Sequence, residues 1–326
     1  SPNFWLERIT AADAGRYRLD VVAPTGTAAG MPTLVTVTSA APASRLVNVA
    51  SRAPAGAAAG PIIAGIVLNP GASGSATTRR LLFRAVGPAL RAFGLDEAEP
   101  DPTLVIFDAA NREIARCDDW DSSPTIAAQV GTAVALVGTF PLPAGSRDAA
   151  LVLDLAPGAY TAHLLGSAAG GPAVGLIEIY DASGGTAGPR IGNLSTRCVL
   201  GTHDQILIPG IVVTQGSARL LVRALGPALK RFGVTDALPD PELALYAGDT
   251  LIAANDDWYS ATASAAGSVP ALTQAIQAAG ASPFESSSLD AALVVTVPPG
   301  NYTLHVRSQN PRQSGAVVAE VFLLNP

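Results

Sequence analysis

The stretch DAALVLDLAPGAYTAHL, from Asp148 to Leu164, alternates apolar residues with small or polar ones in a period of two. Leu151, Leu153 and Leu155 fall on one side of this pattern, which is typical of a strand with one face toward a core. The segment APG then marks a turn before a second alternating run. The stretch therefore predicts two antiparallel strands joined by a tight turn.

The same stretch returns as DAALVVTVPPGNYTLHV, from Asp290 to Val306, so the chain carries an internal repeat. Outward from it, three more blocks recur in the same order, which indicates two copies of one domain-sized unit. The recurring pairs are RLVNVASRAPAG from Arg45 and RIGNLSTRCVLG from Arg190, LLFRAVGPALRAFG from Leu81 and LLVRALGPALKRFG from Leu220, and DPTLVIFDAANREIARCDDW from Asp101 and DPELALYAGDTLIAANDDW from Asp240.

Each copy contains seven or eight predicted strands with frequent turn signals. We therefore predict an all-β chain with two tandem antiparallel β-sandwich or jelly-roll domains at residues 40–182 and 190–326. A linker rich in Gly, Ser and Pro is expected at 183–189. A short helical turn is expected at GPALRAFG, where Pro88 suits the first helical position and Gly94 the C-terminal cap.

The N-terminal residues 1–39 predict a third element, the end of an immunoglobulin-like domain. In DAGRY, Tyr17 stands where such domains have a corner tyrosine, although Leu19 occupies the position of the usual cysteine. Only about three strands, roughly E to G, are present in this segment, and a partial sheet cannot bury its inner face alone. Either the chain has been cut, or a neighbouring molecule supplies the missing strands.

The two copies resemble a repeat of large secreted multidomain proteins of environmental bacteria, on the strings RAVGPALRAFG, DPTLVIFD, NDDW and DAALV. The hairpin with PGAYTAHL is also similar to β-sandwich domains of the pre-peptidase C-terminal type. That resemblance implies a non-catalytic appendage of an exported protein, preceded by immunoglobulin-like modules. It implies no particular ligand.

Composition excludes several classes of partner. The net charge is −6, which does not favour nucleic acid or an anionic membrane surface. No apolar run approaches the roughly 20 residues that a spanning helix needs. The chain starts at Ser1 without a basic and apolar leader, so we expect a processed or truncated product.

The paired carboxylates of RCDDWD and NDDWY are the first candidates for chemistry. A glycosidase pair is disfavoured because neighbouring residues of a strand point to opposite faces and cannot converge on a substrate. Calcium is the one cofactor we consider, since loop-end carboxylates supply its preferred oxygen ligands. The structural alternative is a corner in which Asp accepts backbone N–H bonds while Trp120 and Trp258 cover the core edge. The candidate calcium ligands are Asp101, Asp118, Asp119, Asp148, Asp240, Asp256, Asp257 and Asp290.

The histidines predict no catalytic constellation. His163 and His305 occupy equivalent strand positions, and His203 lies in a loop, so each copy lacks a triad or a metal trio. We therefore expect no enzyme activity.

Two arginines interrupt apolar strands at equivalent positions, Arg84 in LLFRAV and Arg223 in LLVRAL. A buried unpaired charge would be costly, so each needs a partner. Glu178 and Glu320 lie in similar apolar strands, and we predict the ion pairs Arg84–Glu178 and Arg223–Glu320, with a corner aspartate as the alternative acceptor. A basic ligand pocket is the competing interpretation.

The two cysteines, Cys117 and Cys198, each lack a counterpart in the other copy. A disulfide between them would tie the first copy to the start of the second and stabilise the fold by about 4 kcal/mol. Two buried free thiols are the alternative.

Together these patterns predict a non-catalytic extracellular or cell-surface protein with a structural or adhesive role in a matrix or fibre. The expected partners are further copies of the chain or other extracellular β-sandwich modules. The alternative is an accessory polysaccharide- or calcium-binding module of a secreted hydrolase, although aromatic residues, the usual carbohydrate platforms, make up only 5% of the chain.

Overall fold

The structure is a computed structural model that describes residues 15–17, 20–23, 26–29, 33–35, 44–56, 59–71, 76–167, 173–260 and 267–324. It is mostly antiparallel β-sheet, with 49% strand and 15% helix, which confirms the predicted all-β class. The chain divides into two compact units, Ser1–Ala43 and Ser44–Pro326. Both copies of the repeat therefore lie in a single compact unit, although the sequence analysis assigns a separate domain to each.

The first unit contains four described strands in two antiparallel pairs. Strand β1 (Gly15–Tyr17) pairs with β4 (Thr33–Val35), and β2 (Asp20–Ala23) forms a hairpin with β3 (Gly26–Ala29). The predicted corner residue Tyr17 ends β1, and 36% of its surface is exposed. The cysteine position of the predicted immunoglobulin-like pattern, Leu19, lies outside the described residues.

The second unit holds the two copies, and each copy supplies eight strands in the same order. The strands of the first copy are β5 (Arg45–Ala55), β6 (Ile62–Asn69), β7 (Arg79–Val86), β8 (Thr103–Asp108), β9 (Glu113–Cys117), β10 (Ala149–Leu155), β11 (Gly158–Leu165) and β12 (Ala173–Asp181). Those of the second copy are β13 (Arg190–Leu200), β14 (Ile208–Thr214), β15 (Ala218–Leu225), β16 (Pro241–Ala247), β17 (Thr250–Asn255), β18 (Ala291–Val297), β19 (Gly300–Ser308) and β20 (Gly315–Leu323).

These strands form two antiparallel runs, and each run contains strands of both copies. The first run has the order β10-β7-β12-β5-β14-β19-β16-β17. The second has the order β18-β15-β20-β13-β6-β11-β8-β9. The first strand of each copy thus joins its own copy's β-sheet to four strands of the other copy.

The two copies are related by an approximate two-fold axis between β5 and β13. Leu46 is the Cα partner of Ile191, and the hydroxyl of Ser51 lies 2.6 Å from that of Thr196. Both contacts join residues that are equivalent in the repeat. Buried side chains from both runs, such as Phe83 and Leu304, belong to one hydrophobic cluster, so the two copies share a core.

In each copy, one α-helix that was not predicted from the sequence covers the outer face of the sheet. Helix α1 (Pro124–Val137) packs on β10 and β7, and α2 (Val269–Ala278) packs on β18 and β15. Because a helix covers its outer face, β7 is buried on both sides: Phe83 faces the shared core and Leu82 lies under the helix. This double burial explains why RLLFRAV is a nearly continuous apolar run.

The short helical turn predicted at GPALRAFG is confirmed as a 3-10 helix, Pro88–Phe93, with its equivalent at Pro227–Phe232. Gly94 ends the first of these helices in the left-handed region, with φ of 81°. A residue with a Cβ would be strained there, which explains the glycine.

Candidate functional site

The repeated corner is built around one buried aspartate in each copy. Asp148, which precedes β10, is fully buried and accepts hydrogen bonds from the backbone N–H groups of Gly87 at 2.7 Å and Ala89 at 3.2 Å. The carboxylate therefore caps the 3-10 helix that follows β7. The carbonyl of Asp148 accepts from the backbone N–H of Trp120 at 2.9 Å, so three separate segments meet at this residue.

The second copy reproduces the corner closely. Asp290 accepts from the backbone N–H groups of Gly226 at 2.7 Å and Ala228 at 3.1 Å, and its carbonyl accepts from Trp258 N–H at 2.8 Å. The indole N–H of Trp258 donates to the carbonyl of Glu285 at 3.0 Å, so the ring is held at the edge of the core. Each copy thus has a corner in which a buried aspartate, Asp148 or Asp290, accepts backbone N–H bonds.

The glycine of the GPAL motif is required by a close backbone approach. A Cβ on Gly87 would lie 2.0 Å from the carbonyl oxygen of Glu99, and one on Gly226 would lie 2.2 Å from that of Leu238. No side chain fits at either position. The motif thus combines a glycine for close approach, a proline to start the helix and a distant aspartate to cap it.

Two other carboxylates of the first corner, those of Asp101 and Asp118, contact protein groups. Asp101 forms an ion pair with Arg147, and Asp118 Oδ1 accepts a hydrogen bond from the Thr103 hydroxyl at 2.9 Å. Asp119 uses its backbone carbonyl to accept from Ser122 N–H at 3.2 Å. None of these contacts draws the carboxylates together around a common point.

The second corner has no arginine at the position of Arg147. Asp256 Oδ2 accepts a hydrogen bond from Gln309 Nε2 at 3.1 Å, while one carboxylate oxygen each of Asp240, Asp256 and Asp257 is buried without a hydrogen-bond partner. Burial, followed by the charge of Asp256, raises the pKa values of Asp240 and Asp257. The copies therefore share the corner frame but differ in how they compensate its charge.

The predicted calcium ligands among the described residues are not arranged as a metal site. Across the part of the chain that the structure describes, no group of three or more His, Cys, Asp or Glu side chains is placed to hold a metal ion. The predicted ligand Asp148 and its equivalent Asp290 are committed to backbone amides.

The two buried arginines lie opposite the glutamates that the sequence analysis expects. Arg84 is the cross-strand partner of Glu178, with 3.1 Å between Arg84 Nε and Glu178 Oε2, and Arg223 Nε lies 3.1 Å from Oε2 of Glu320. Burial raises the pKa of both glutamates, and the facing arginine partly offsets this effect. Opposite charges on adjacent strands thus compensate each other inside the unit.

Each guanidinium also contacts the loop after the α-helix. Arg84 Nη1 donates to the Thr139 hydroxyl at 2.8 Å and to the carbonyl of Phe140 at 3.0 Å, and its guanidinium carbon lies 4.3 Å from the centre of the Phe140 ring. Arg223 lies 4.2 Å from the ring centre of Phe284 in the same way. The arginines therefore fasten the loop to the sheet, and both of their side chains are fully buried.

The predicted disulfide between Cys117 and Cys198 is absent, because both residues are buried free thiols. They stand on β9 and β13 of the same run, in nearly the same row of cross-strand partners. Four inter-strand steps of about 4.8 Å separate them, or about 19 Å along the sheet, whereas bridged cysteines have Cα atoms within about 7 Å. Burial raises the pKa of both thiols.

The equivalent histidines lie against aromatic rings. The ring centres of His163 and Phe107 are 4.6 Å apart, and those of His305 and Tyr246 are 4.7 Å apart. Burial lowers the pKa of both histidines and so favours their neutral form.

One buried cluster was not predicted from the sequence. Asp181 accepts from Arg79 Nε at 2.7 Å and lies 3.4 Å from Arg45 Nη2, and all three side chains are almost fully buried. The remaining guanidinium N–H groups donate to backbone carbonyls within the predicted linker, including that of Ala187 at 2.7 Å. We call this cluster the linker clasp. Its sequence signal is an arginine at the start of each of two strands, β5 and β7, and an aspartate at the end of β12 beside a glycine-rich segment.

A surface pocket of about 430 Å³ lies beside the second 3-10 helix. Its polar lining comprises Lys230, Arg231, Glu285, Ser287 and Ser288. Within the described residues, no helix is long and apolar enough to span a membrane.

Comparison with known proteins gives no family for this chain. No family model matches it, and no curated protein matches it. Among solved structures, PNGF-II aligns over 81% of this chain with 11% identity and a TM-score of 0.18, and this chain spans 60% of that protein. A chain of the Sulfolobus turreted icosahedral virus structure aligns over 86% of this chain and 89% of its own, with 9% identity and a TM-score of 0.19. Likenesses this weak do not define a shared fold.

Proposed function

We propose that this chain is a non-catalytic structural or adhesive component of an extracellular assembly, such as a cell surface, matrix or fibre. In this proposal the two strand runs form β-sandwich modules, the partial immunoglobulin-like segment at residues 1–39 serves as an assembly element, and the partners are further copies or other β-sandwich modules. The observation that carries the proposal is the exchange of first strands between the copies, because it fuses two repeats into one unit with a shared core.

The buried polar residues of the corners and of the sheet support the same role. Asp148, Asp290, Arg84 and Arg223 are all used to fasten chain segments to one another. Side chains committed in this way stabilise a frame and are poorly placed to turn over a substrate.

Self-association of the purified chain tests the proposal. We expect sedimentation velocity between 1 and 100 µM, values on the order of those that resolve specific protein association, to show concentration-dependent assembly. A glycan array run on the same material should show no specific signal. A chain that stays monomeric throughout and binds a defined glycan would contradict the proposal.

A second candidate is an accessory polysaccharide-binding module, favoured by the pocket beside the second 3-10 helix. Lys230, Arg231 and Ser287 supply donors and Glu285 an acceptor for a hydroxylated ligand. If the glycan array gives a signal, Lys230→Ala should reduce it. An Arg91→Ala variant, at the equivalent position of the first copy, should leave it unchanged.

A further inference from the structure

The two copies present equivalent edge strands that differ in charge. Strand β9 ends the second run and pairs with β8, while β17 ends the first run and pairs with β16; neither has a second partner among the described strands. Both strands are exposed along most of their length. An unpaired strand edge offers its backbone N–H and C=O groups to another chain, so its side chains decide whether pairing occurs.

The first copy protects its edge with charges. Glu113 and Arg116 of β9 form an exposed ion pair, with 2.8 Å between Arg116 Nη2 and Glu113 Oε2. Charged side chains on an edge strand are the usual device against edge-to-edge pairing, because an incoming strand would have to desolvate them.

The second copy has neither charge. Leu251 and Ala254 of β17 stand at the positions of Glu113 and Arg116, so that edge has the sequence TLIAAN. The side chains of Leu251 and Ile252 are 53% and 38% exposed. Strand β17 therefore carries no charged side chain and exposes two large apolar ones, and its nearest charges are those of the flanking Asp249 and Asp256.

We propose that β17 is an interaction surface that pairs antiparallel with β17 of a second copy of this chain. This inference rests on the proposed function and names the surface and partner of the assembly. A two-fold pairing centred on β17 places Leu251 of one strand opposite Ala254 of the other, so no charged side chain lies within the paired strands, while Asp249 and Asp256 flank the pairing at its two ends. The same edge placed against β9 would instead face the ion pair of Glu113 and Arg116.

The internal architecture supports a second copy as the occupant. Within the chain, antiparallel pairing of β5 with β14 and of β13 with β6 already extends each sheet from one copy of the repeat into the other. Pairing of two β17 strands continues that mode of association from one molecule to the next. It would join two first runs into a single continuous sheet.

The addition of charge to β17 tests the proposal. The double variant Leu251→Lys plus Ala254→Lys places two cations on β17, which repel their counterparts in any antiparallel register. We expect sedimentation equilibrium to show a dimer of the wild-type chain and a dissociation constant raised at least about tenfold in the variant. Hydrogen exchange should show that amides of Thr250–Asn255 gain protection as the wild-type concentration rises. Both positions are exposed, and circular dichroism melting verifies that the variant is folded.

The matched control uses the other edge. Glu113→Lys gives β9 two cations, Lys and Arg116, and should leave the dimer unchanged. The converse variant, Glu113→Leu plus Arg116→Ala, copies the bare edge onto β9 and should produce species larger than the dimer.

The outcomes separate this inference from the proposed function. If assembly persists unchanged in the two-lysine variant, β17 is not the interface, while the structural role stands. If the wild-type chain is monomeric at every concentration, the pairing of β17 is overturned, whereas the proposed function is overturned only if that monomer also binds a defined glycan. Equal weakening by the β9 control would show a general charge effect and would also overturn the assignment to β17.

Discussion

The corners of the two copies have the same backbone frame but compensate their negative charge differently. In the first copy, Arg147 pairs with Asp101. In the second, the carboxylates of Asp240, Asp256 and Asp257 form no ion pair with a described residue, and the pKa values of Asp240 and Asp257 are raised. The frame depends on the capping aspartate, the glycine and the tryptophan, so the carboxylates around it can diverge without changing the fold.

One pair of equivalent residues at the corner, Cys117 and Asn255, makes hydrogen bonds of opposite direction. Cys117 Sγ donates to the carbonyl of Ala150 at 3.3 Å, whereas its equivalent Asn255 accepts, through Oδ1, from the backbone N–H of Ala292 at 2.9 Å. Both side chains connect the edge hairpin to the strand after the capping aspartate, with opposite polarity. The contact is kept while its chemistry changes.

Loss of the arginine from a buried ion pair should reduce the free energy of unfolding more in the first copy than in the second, and this should be the largest difference between the copies. Arg84→Met leaves the charge of Glu178, whose side chain is 3% exposed, without its partner and should cost about 4 kcal/mol in urea unfolding. Arg223→Met should cost less, because Glu320 is 22% exposed and can be solvated. The double variant Arg84→Met plus Glu178→Leu should recover most of the loss. Equal losses in the two single variants would show that burial of the glutamate does not set the cost.

Removal of the capping aspartates should cost the same in both copies. Asp148→Ala leaves two backbone N–H groups buried without an acceptor, and we expect a loss of about 3 kcal/mol in urea unfolding. Asp290→Ala should give a similar loss, because the frame is the same. A difference of more than about 1 kcal/mol between the two would show that one corner has support beyond the carboxylate.

Neutralising one carboxylate should have opposite effects in the two corners. The pKa of Asp257 is raised above 3.8, so its charged form is disfavoured in the folded state, and Asp257→Asn should stabilise the chain at pH 7 by up to about 1 kcal/mol. This gain should fade as the pH falls toward 3.8, where the wild-type carboxyl takes up its proton. Asp101→Asn should instead destabilise slightly at pH 7, since Arg147 loses its partner. Thermal melts from pH 3 to 8, roughly the range in which carboxylates titrate, measure both effects.

The smallest expected effect concerns the thiols, which the copies do not share. Because Cys117 and Cys198 are free and buried, a reducing agent should leave the melting temperature unchanged. A thiol reagent should modify neither residue in the folded chain and both after unfolding. A melting temperature that falls when the reducing agent is added would show that Cys117 and Cys198 form a disulfide after all.

The sequence indicated the features that depend on local pattern and register. The strands of DAALV and its repeat follow from their alternation, and the pairing of Arg84 with Glu178 follows because each is a lone charge in an apolar strand. Helix α1 was missed because PTIAAQVGTAVALV is rich in small and β-branched residues and offers no polar face to mark a helical period. A position-by-position comparison of the copies could have shown that β17 lacks the two charged residues of β9.

The exchange of β5 and β13 could not be derived from one sequence. Alternation specifies which face of a strand is buried, but it is identical whether the neighbouring strand comes from the same copy or from the other. The disulfide was wrongly predicted for a related reason, since the positions of Cys117 and Cys198 along the sheet depend on that exchange.

The linker clasp gives the exchange a practical consequence. Arg79 and Arg45 hold the segment between the copies against the body of the unit through Asp181 and the linker carbonyls. Each half of the chain also has its first strand inserted between a strand of its own copy and one of the other. After a protease cut in the linker, the two fragments should therefore stay associated as one particle. The peptide bond that joins the copies is not needed to hold them together.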